Sequence, residues 1–212
     1  VFNCAKEIKN YIKKNQLIII ESTVYPGATN EFQKKLLSKK FNIGEDIFIG
    51  YSPERENPGD KKFSYKRTPK IISGSTKKCL DLTNSFYQHF VKKVVKLKSI
   101  KEAETSKLLE NLYRSVNISL INELKIVCHR LGMDIFNIID AAATKNFGFQ
   151  KFLPGPGLGG HCIPIDPYYL AWASKNFGYN PKFIKLSGDI NAIIPKWTIN
   201  KIFENFKNKN NI

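Results

Sequence analysis

Between Ala103 and Leu131 the chain runs for nearly thirty residues without a proline or a glycine. Leu108, Leu112, Val116, Leu120, Leu124, Val127 and Leu131 recur there at helical spacing. A helix of that length spans about 40 Å, as long as a small domain is wide. Whatever fold the chain adopts must therefore be built along this rod. Gly132 ends it, and a second helix is expected over 134–145. A glycine-proline loop follows, then helices near 167–177 and 181–206, with Pro195 marking a break or fresh start in the last. No strand signal appears after about residue 100, so an all-helical domain is expected from there. A single layer of long helices buries its apolar faces poorly, which favours self-association.

The first hundred residues have a different texture. An amphipathic helix is expected over 5–14, followed by the wholly apolar run Leu17-Ile18-Ile19-Ile20. Such a run reads as a strand buried on both faces, as in parallel sheets. The polar turn Glu21-Ser22-Thr23-Val24-Tyr25-Pro26-Gly27 then leads into a helix near 28–40. Further strands are expected at Ile47–Gly50, Lys70–Gly74 and Lys92–Lys98, with a helix around 76–90 between the last two. Strands alternating with helices, and polar loops after the strands, point to an α/β fold with a doubly wound, parallel sheet. Ligands in that architecture sit at the carboxyl ends of strands, where the Glu21–Gly27 and Tyr51–Asp60 loops lie. The expected divisions are residues 1–99, 100–195 and 196–212.

Composition narrows the function classes. With 212 residues and 42% hydrophobic content, the chain can bury a sizeable core. It starts at Val1 and holds one methionine, Met133, so it reads as a piece of something longer. No apolar run is long enough to span a bilayer, and no signal-peptide pattern opens the chain. Cys4, Cys79, Cys128 and Cys162 are scattered with no CxxC pair, which suits a reducing, cytoplasmic setting. The net charge of +16 comes almost entirely from lysine, with arginine only at positions 55, 67, 114 and 130. Lysine doublets spread along the chain read as a solvated surface. A groove-reading nucleic-acid binder would lean on arginine clustered on one element. The surplus would still attract anionic small molecules such as nucleotides.

The densest chemistry lies in Gly157-Leu158-Gly159-Gly160-His161-Cys162-Ile163-Pro164-Ile165-Asp166-Pro167. A thiol acts as a nucleophile when its thiolate is accessible and electrostatically favoured, and a glycine-rich loop allows close approach by a substrate. Spacing of four brings Cys162 and Asp166 within reach if the segment opens a helix. The plainer alternative is a structural turn with a buried thiol. His161 is adjacent to Cys162, and neighbouring side chains point apart, so it reads as a loop residue and not as part of a dyad. Cys128-His129 and His161-Cys162 lack the spacing of a zinc finger, so no metal is expected.

Four segments, in this order, carry a resemblance: Glu21–Gly27, Ser52-Pro53-Glu54-Arg55-Glu56-Asn57-Pro58-Gly59, Ala103-Glu104-Thr105-Ser106-Lys107-Leu108-Leu109-Glu110-Asn111, and Pro154–Cys162. Together they resemble the UDP-glucose/GDP-mannose dehydrogenase family. These NAD-dependent enzymes oxidise the C6 alcohol of a nucleotide sugar to a carboxylate. The resemblance implies NAD as cofactor and Cys162 as the nucleophile that traps an aldehyde as a thiohemiacetal, later a thioester. Lys107 and Asn111 would stabilise the oxyanion, Glu54 would act as base in thioester hydrolysis, Thr23 would hold the water, and Asp166 would manage a proton beside the thiol. Ser22, Thr23, Val24 and Cys162 would line the cofactor. Glu54, Arg55, Lys107, Asn111, Phe152, Leu153, Gly157 and Gly159 would contact the sugar nucleotide.

Taken alone, each residue has a bland alternative. Lys107 and Asn111 suit a solvated helix face, Glu54 an exposed turn, and Thr23 a cap or turn hydroxyl. The family's amino-terminal glycine fingerprint and its carboxyl-terminal domain are not in this sequence, so the isolated chain is expected to be inactive. Ile165 stands where glucose-specific relatives carry lysine, and the loop wording resembles the UDP-N-acetylglucosamine branch. UDP-glucose, UDP-N-acetylgalactosamine and UDP-N-acetylmannosamine remain competitors. A homodimer or higher homo-oligomer through the long helices is the expected partner arrangement. A non-catalytic oligomerisation module is the alternative class.

Overall fold

The computed structural model describes residues 1–37, 41–55 and 65–209. Part of the expected helix tail (38–40) and the Glu56–Asp60 part of the second loop lie outside the described residues. The chain divides into two compact units, Val1–Leu109 and Glu110–Ile212.

The first unit opens with α1 (Phe2–Ile8), prolonged by one tighter turn over Lys9–Tyr11, so the helix expected at 5–14 starts and stops earlier. It continues with β1 (Gln16–Ile20), α2 (Ala28–Leu36), β2 (Ile47–Tyr51), β3 (Lys70–Gly74), α3 (Lys77–Gln88) and β4 (Val94–Lys96). The strands form one sheet in the order β1-β2-β3-β4. β1 and β2 run parallel, from Gln16 opposite Ile47 to Ile20 opposite Tyr51, and β3 and β4 are parallel as well. β2 and β3 are antiparallel, with Tyr51 opposite Ser73. The expected all-parallel layer is thus a mixed sheet. An apolar run records burial, and it carries no information about strand direction.

Burial on both faces holds for β2, whose five residues are all buried. It fails for β1, where only Ile20 is fully buried, because β1 lies at the edge of the described sheet. One face of the unit packs Ile20, Val24, Ala28, Phe32 and Leu36 against Ile49, Tyr51 and Ile71. The other gathers Ile72, Tyr87 and Val91. Gly74 permits the tight turn from β3 into α3, since a Cβ there would lie 2.2 Å from the Leu80 nitrogen. The Thr76 hydroxyl accepts the Cys79 N–H at 3.2 Å and caps α3.

The long rod is α4 (Ile100–Arg130), whose 31 residues span about 46 Å. Its first turns belong to the first unit and the rest to the second. Gly132, at φ +68°, takes the left-handed conformation that ends it. α5 (Ile135–Ala142) is capped by Asp134, which accepts the Phe136 N–H at 2.8 Å. α6 (Asp166–Lys175) and α7 (Lys182–Lys209) complete the second unit. Ile121, Cys128, Ile135 and Ile139 form a core there, with Phe152 packed against it. The break expected at Pro195 does not occur: α7 passes through it. Proline removes one helical N–H, but Ile184, Ser187, Asn191 and Ile194 are all buried along the same helix, and their packing holds the turn together. No described helix is long and apolar enough to cross a membrane.

Candidate active site

Because β1 and β2 are parallel, their following loops leave the sheet at the same edge. The ladder continues past the strands: the Ser52 N–H donates to the Ile20 carbonyl at 3.0 Å, and the Glu54 N–H to the Glu21 carbonyl at 3.2 Å. The Tyr51 hydroxyl donates to the Ser22 carbonyl at 3.3 Å, and the Ser52 hydroxyl to the Ile71 carbonyl at 2.8 Å. These bonds set Glu21 and Ser22 beside Tyr51, Ser52 and Glu54, so the two loops start side by side at the carboxyl ends of β1 and β2. Ser22 is exposed, Thr23 half-buried, and Val24 turned into the core. The Glu54 carboxylate accepts the Arg55 N–H at 2.7 Å, and the Arg55 guanidinium donates to the Pro69 carbonyl at 2.6 Å.

Two residues central to this corner were given no role by sequence reasoning. The first is Lys70. The antiparallel run of β3 delivers its first residue to the edge where β1 and β2 end; a parallel β3 would have put it at the opposite edge. The Lys70 side chain is 4% exposed, with its ammonium 3.0 Å from a Glu21 oxygen and 3.1 Å from a Glu54 oxygen. It also sits over the rings of Tyr65 and Tyr87, at 4.8 and 5.3 Å from the centroids. Tyr87 in turn donates to Glu21 at 2.5 Å, and burial followed by that bond pushes its phenol pKa up. A lysine beginning a strand reads as solvated in sequence; only strand direction reveals this one.

The second is Glu104, fully buried in the first turns of α4. Its two oxygens accept the backbone N–H groups of Gly27 (2.5 Å) and Thr29 (2.8 Å), at the start of α2. The helix beginning is thereby filled by a side chain 75 to 77 residues distant in sequence. Burial, opposed by these bonds, leaves the Glu104 carboxyl pKa raised. The neighbouring Tyr25 phenol is pushed up to about 12, chiefly by burial and then by Glu31.

In the second unit the glycine loop delivers Cys162 exposed, which removes the buried-thiol alternative. The Cys162 carbonyl accepts the N–H groups of Ile165 (3.1 Å) and Asp166 (2.9 Å), an irregular turn that opens α6. Asp166 stands in the first turn of α6, ahead of Pro167, positions that suit both residues. Its side chain is buried and accepts from the Asn111 amide at 2.5 Å. Asn111 is therefore neither solvated nor idle: it is bonded to Asp166, whose backbone N–H is in turn held by the Cys162 carbonyl. Lys107, half-buried, lies one turn earlier on α4. Leu153, Gly157 and Gly159 line a cavity of about 710 Å³ with Ser115, Tyr168 and Asn191. The Phe152 ring lies elsewhere, packed on the helical core and edge-on to Tyr113 at 6.1 Å.

The mixed sheet with polar loops at its strand ends, followed by helices that present an exposed thiol, makes an α/β unit with a helical companion. Comparison with known proteins agrees. Residues 1–91 match the NAD binding domain of the UDP-glucose/GDP-mannose dehydrogenase family, and residues 101–193 match its central domain. A UDP-N-acetyl-D-glucosamine 6-dehydrogenase of Pseudomonas aeruginosa is 41% identical over 93% of this chain and 47% of its own length. A UDP-N-acetyl-D-mannosamine dehydrogenase of Methanocaldococcus jannaschii is 36% identical over 93% of this chain and 44% of its own. The solved UDP-D-ManNAc dehydrogenase of Pyrococcus horikoshii superposes with a TM-score of 0.88 at 30% identity, covering 98% of this chain and 49% of that one. The chain belongs to the UDP-glucose/GDP-mannose dehydrogenase family, and it spans about half the length of the relatives it matches.

The family makes NAD the cofactor. The residues present fit one end of it. Glu104 already occupies the amide groups at the start of α2, so that helix does not offer itself to a pyrophosphate. The exposed Ser22 and half-buried Thr23 leave small polar groups at the strand ends, suited to a nicotinamide amide.

Proposed function

We propose that the protein carrying this chain oxidises the C6 alcohol of UDP-N-acetylglucosamine to the uronic acid, with Cys162 as covalent nucleophile, for surface polysaccharide synthesis. The observation that carries the reading is the buried Asp166–Asn111 pair, tied through the Asp166 N–H to the backbone of the exposed Cys162. NAD, when bound, would supply the hydride acceptor for each of two successive oxidations. Cys162 attacks the intermediate aldehyde, so the aldehyde stays attached and one hard change becomes two easier ones. One amide hydrogen of Asn111 is engaged by Asp166, which orients the other for the oxyanion; Lys107, one turn away, supplies positive charge. Asp166 holds this arrangement and manages the proton beside the thiol.

Glu54, held by Lys70, takes a proton from the water that hydrolyses the thioester, with Thr23 placing that water. Ser22, Thr23 and Cys162 face the cofactor, and Val24, its side chain in the core, offers only its backbone there. Arg55, Leu153, Gly157 and Gly159, together with Glu54, Lys107 and Asn111, receive the sugar nucleotide, while Phe152, packed on the helical core, supports Leu153 from behind. The free cysteines support a cytoplasmic setting. Exposed Leu120, Leu124 and Val127 on α4, with Phe183, Ile193 and Phe203 on α7, support a homodimer or larger homo-oligomer.

The test is NAD reduction and uronate formation by that protein with UDP-N-acetylglucosamine, UDP-N-acetylmannosamine, UDP-N-acetylgalactosamine and UDP-glucose. The first should turn over fastest. In Glu54→Gln a thioester should accumulate, and rapid hydrolysis in that variant would remove Glu54 from the mechanism.

A further inference from the structure

A buried line of polar side chains runs between α4 and α7 and ends on the glycine loop. On α4, Ser115, Ser119 and Asn122 lie four and three residues apart, so they share one face; on α7, Ser187 and Asn191 lie four apart. None is more than 6% exposed, and Asn122 is fully buried. The Ser187 hydroxyl pairs with those of Ser115 (3.0 Å) and Ser119 (2.5 Å). The Asn191 amide donates to the Ser119 hydroxyl at 2.6 Å, and the Asn122 amide donates to the Asn191 oxygen at 3.1 Å. The remaining Asn122 oxygen accepts the Gly155 backbone N–H at 2.9 Å.

Helix packing alone does not call for this arrangement. Buried polar groups replaced together by apolar ones of similar shape are often neutral or stabilising, so the ladder's chief product lies elsewhere. A surface loop amide can be satisfied by water. Gly155 is instead tied to a side chain held by a second side chain, itself held by a third. An amide has one acceptor oxygen and one donor nitrogen, and both ends of Asn122 are used, so its orientation is fixed. Gly155, Ser115 and Asn191 also share the wall of the cavity that Leu153, Gly157 and Gly159 line.

We infer that Asn122 is a positioning residue: through Gly155 it fixes the loop that receives the sugar nucleotide and presents Cys162. This inference rests on the proposed roles of Cys162 and of that loop. The experiment uses the 212-residue chain. Amide hydrogen exchange is measured at Gly155, with the core amide of Ile139 as reference. Alkylation is followed at Cys162, with Cys4, also exposed, as reference.

Asn122→Leu and the milder Asn122→Ser should raise Gly155 exchange about tenfold relative to Ile139, the loss of one hydrogen bond. Both should shift the Cys162 rate while leaving Cys4 unchanged. Asn122→Asp keeps an acceptor oxygen in place, and Asn191 can turn its amide to donate to the new carboxylate while the Ser119 hydroxyl reverses to donate to the Asn191 oxygen, so Gly155 should stay protected. If Asn122→Leu does not fold, the contrast between the serine and aspartate variants decides. Gly155 exchange unchanged in the serine variant, or rising only in step with Ile139, overturns the inference. Cys162 reacting no faster than Cys4 in the unaltered chain counts against the nucleophile reading alone, whatever Gly155 does.

Discussion

Replacing Glu104 should loosen the loop that carries Ser22, Thr23 and Val24 from a position outside it. Its carboxylate accepts the Gly27 and Thr29 N–H groups, and Thr29 is fully buried. Glu104→Ala strands both donors, at about 1–3 kcal/mol each. Relief from burying a carboxylate offsets part of this, leaving a net loss of about 2–4 kcal/mol. Glu104→Gln keeps one acceptor but turns an NH₂ toward the other donor, for about 1–2 kcal/mol. In a unit of this size each kcal/mol moves Tm by about 4–8 °C, so thermal unfolding followed by circular dichroism resolves the two variants.

A pH series gives an independent check. The folded-state pKa of Glu104 is raised, so its contribution is fully present below the ordinary carboxyl range and is lost as pH rises through the raised value. The stability difference between the unaltered chain and Glu104→Gln should therefore shrink as pH rises from the ordinary carboxyl range towards neutrality. Equal Tm values for both, with unchanged amide exchange at Gly27 and Thr29, would refute the reasoning.

Lys70→Met leaves the Glu21 and Glu54 carboxylates without their shared ammonium. Because both are about half exposed (47% and 46%), water recovers much of the loss, and a cost of about 1–2 kcal/mol is expected in urea unfolding. In the turning-over protein the same variant should slow thioester hydrolysis more than aldehyde formation, read as acyl-protein accumulation in quenched samples. Gly74→Ala drives a methyl group into the α3 backbone near Leu80, so a loss of about 3 kcal/mol or more is expected, with α3 detached in exchange measurements.

Much of this structure is legible in the residues. The apolar runs Leu17–Ile20, Ile47–Ile49 and Lys70–Ile72 lie in strands, and the proline-free stretch after Ala103 lies in one helix, because periodicity and burial are local properties. The loops carrying Thr23, Glu54 and Cys162 stand out for the same reason: glycine, proline and polar residues interrupt those patterns. Direction and partnership are not local. Nothing in Lys70–Gly74 announces that β3 runs against β2, and so nothing announces the burial of Lys70 between two carboxylates. Glu104 looks like any polar helix residue until α2 is brought to it. Pro195 shows the opposite failure, a strong local signal overruled by the buried side chains around it.

The covalent role of Cys162 is tested most directly by uronate formation in the protein carrying Cys162→Ser, assayed with NAD and UDP-N-acetylglucosamine. The account predicts that uronate formation is abolished while binding of the sugar nucleotide largely survives. Uronate formed by that variant at the unaltered rate would contradict it.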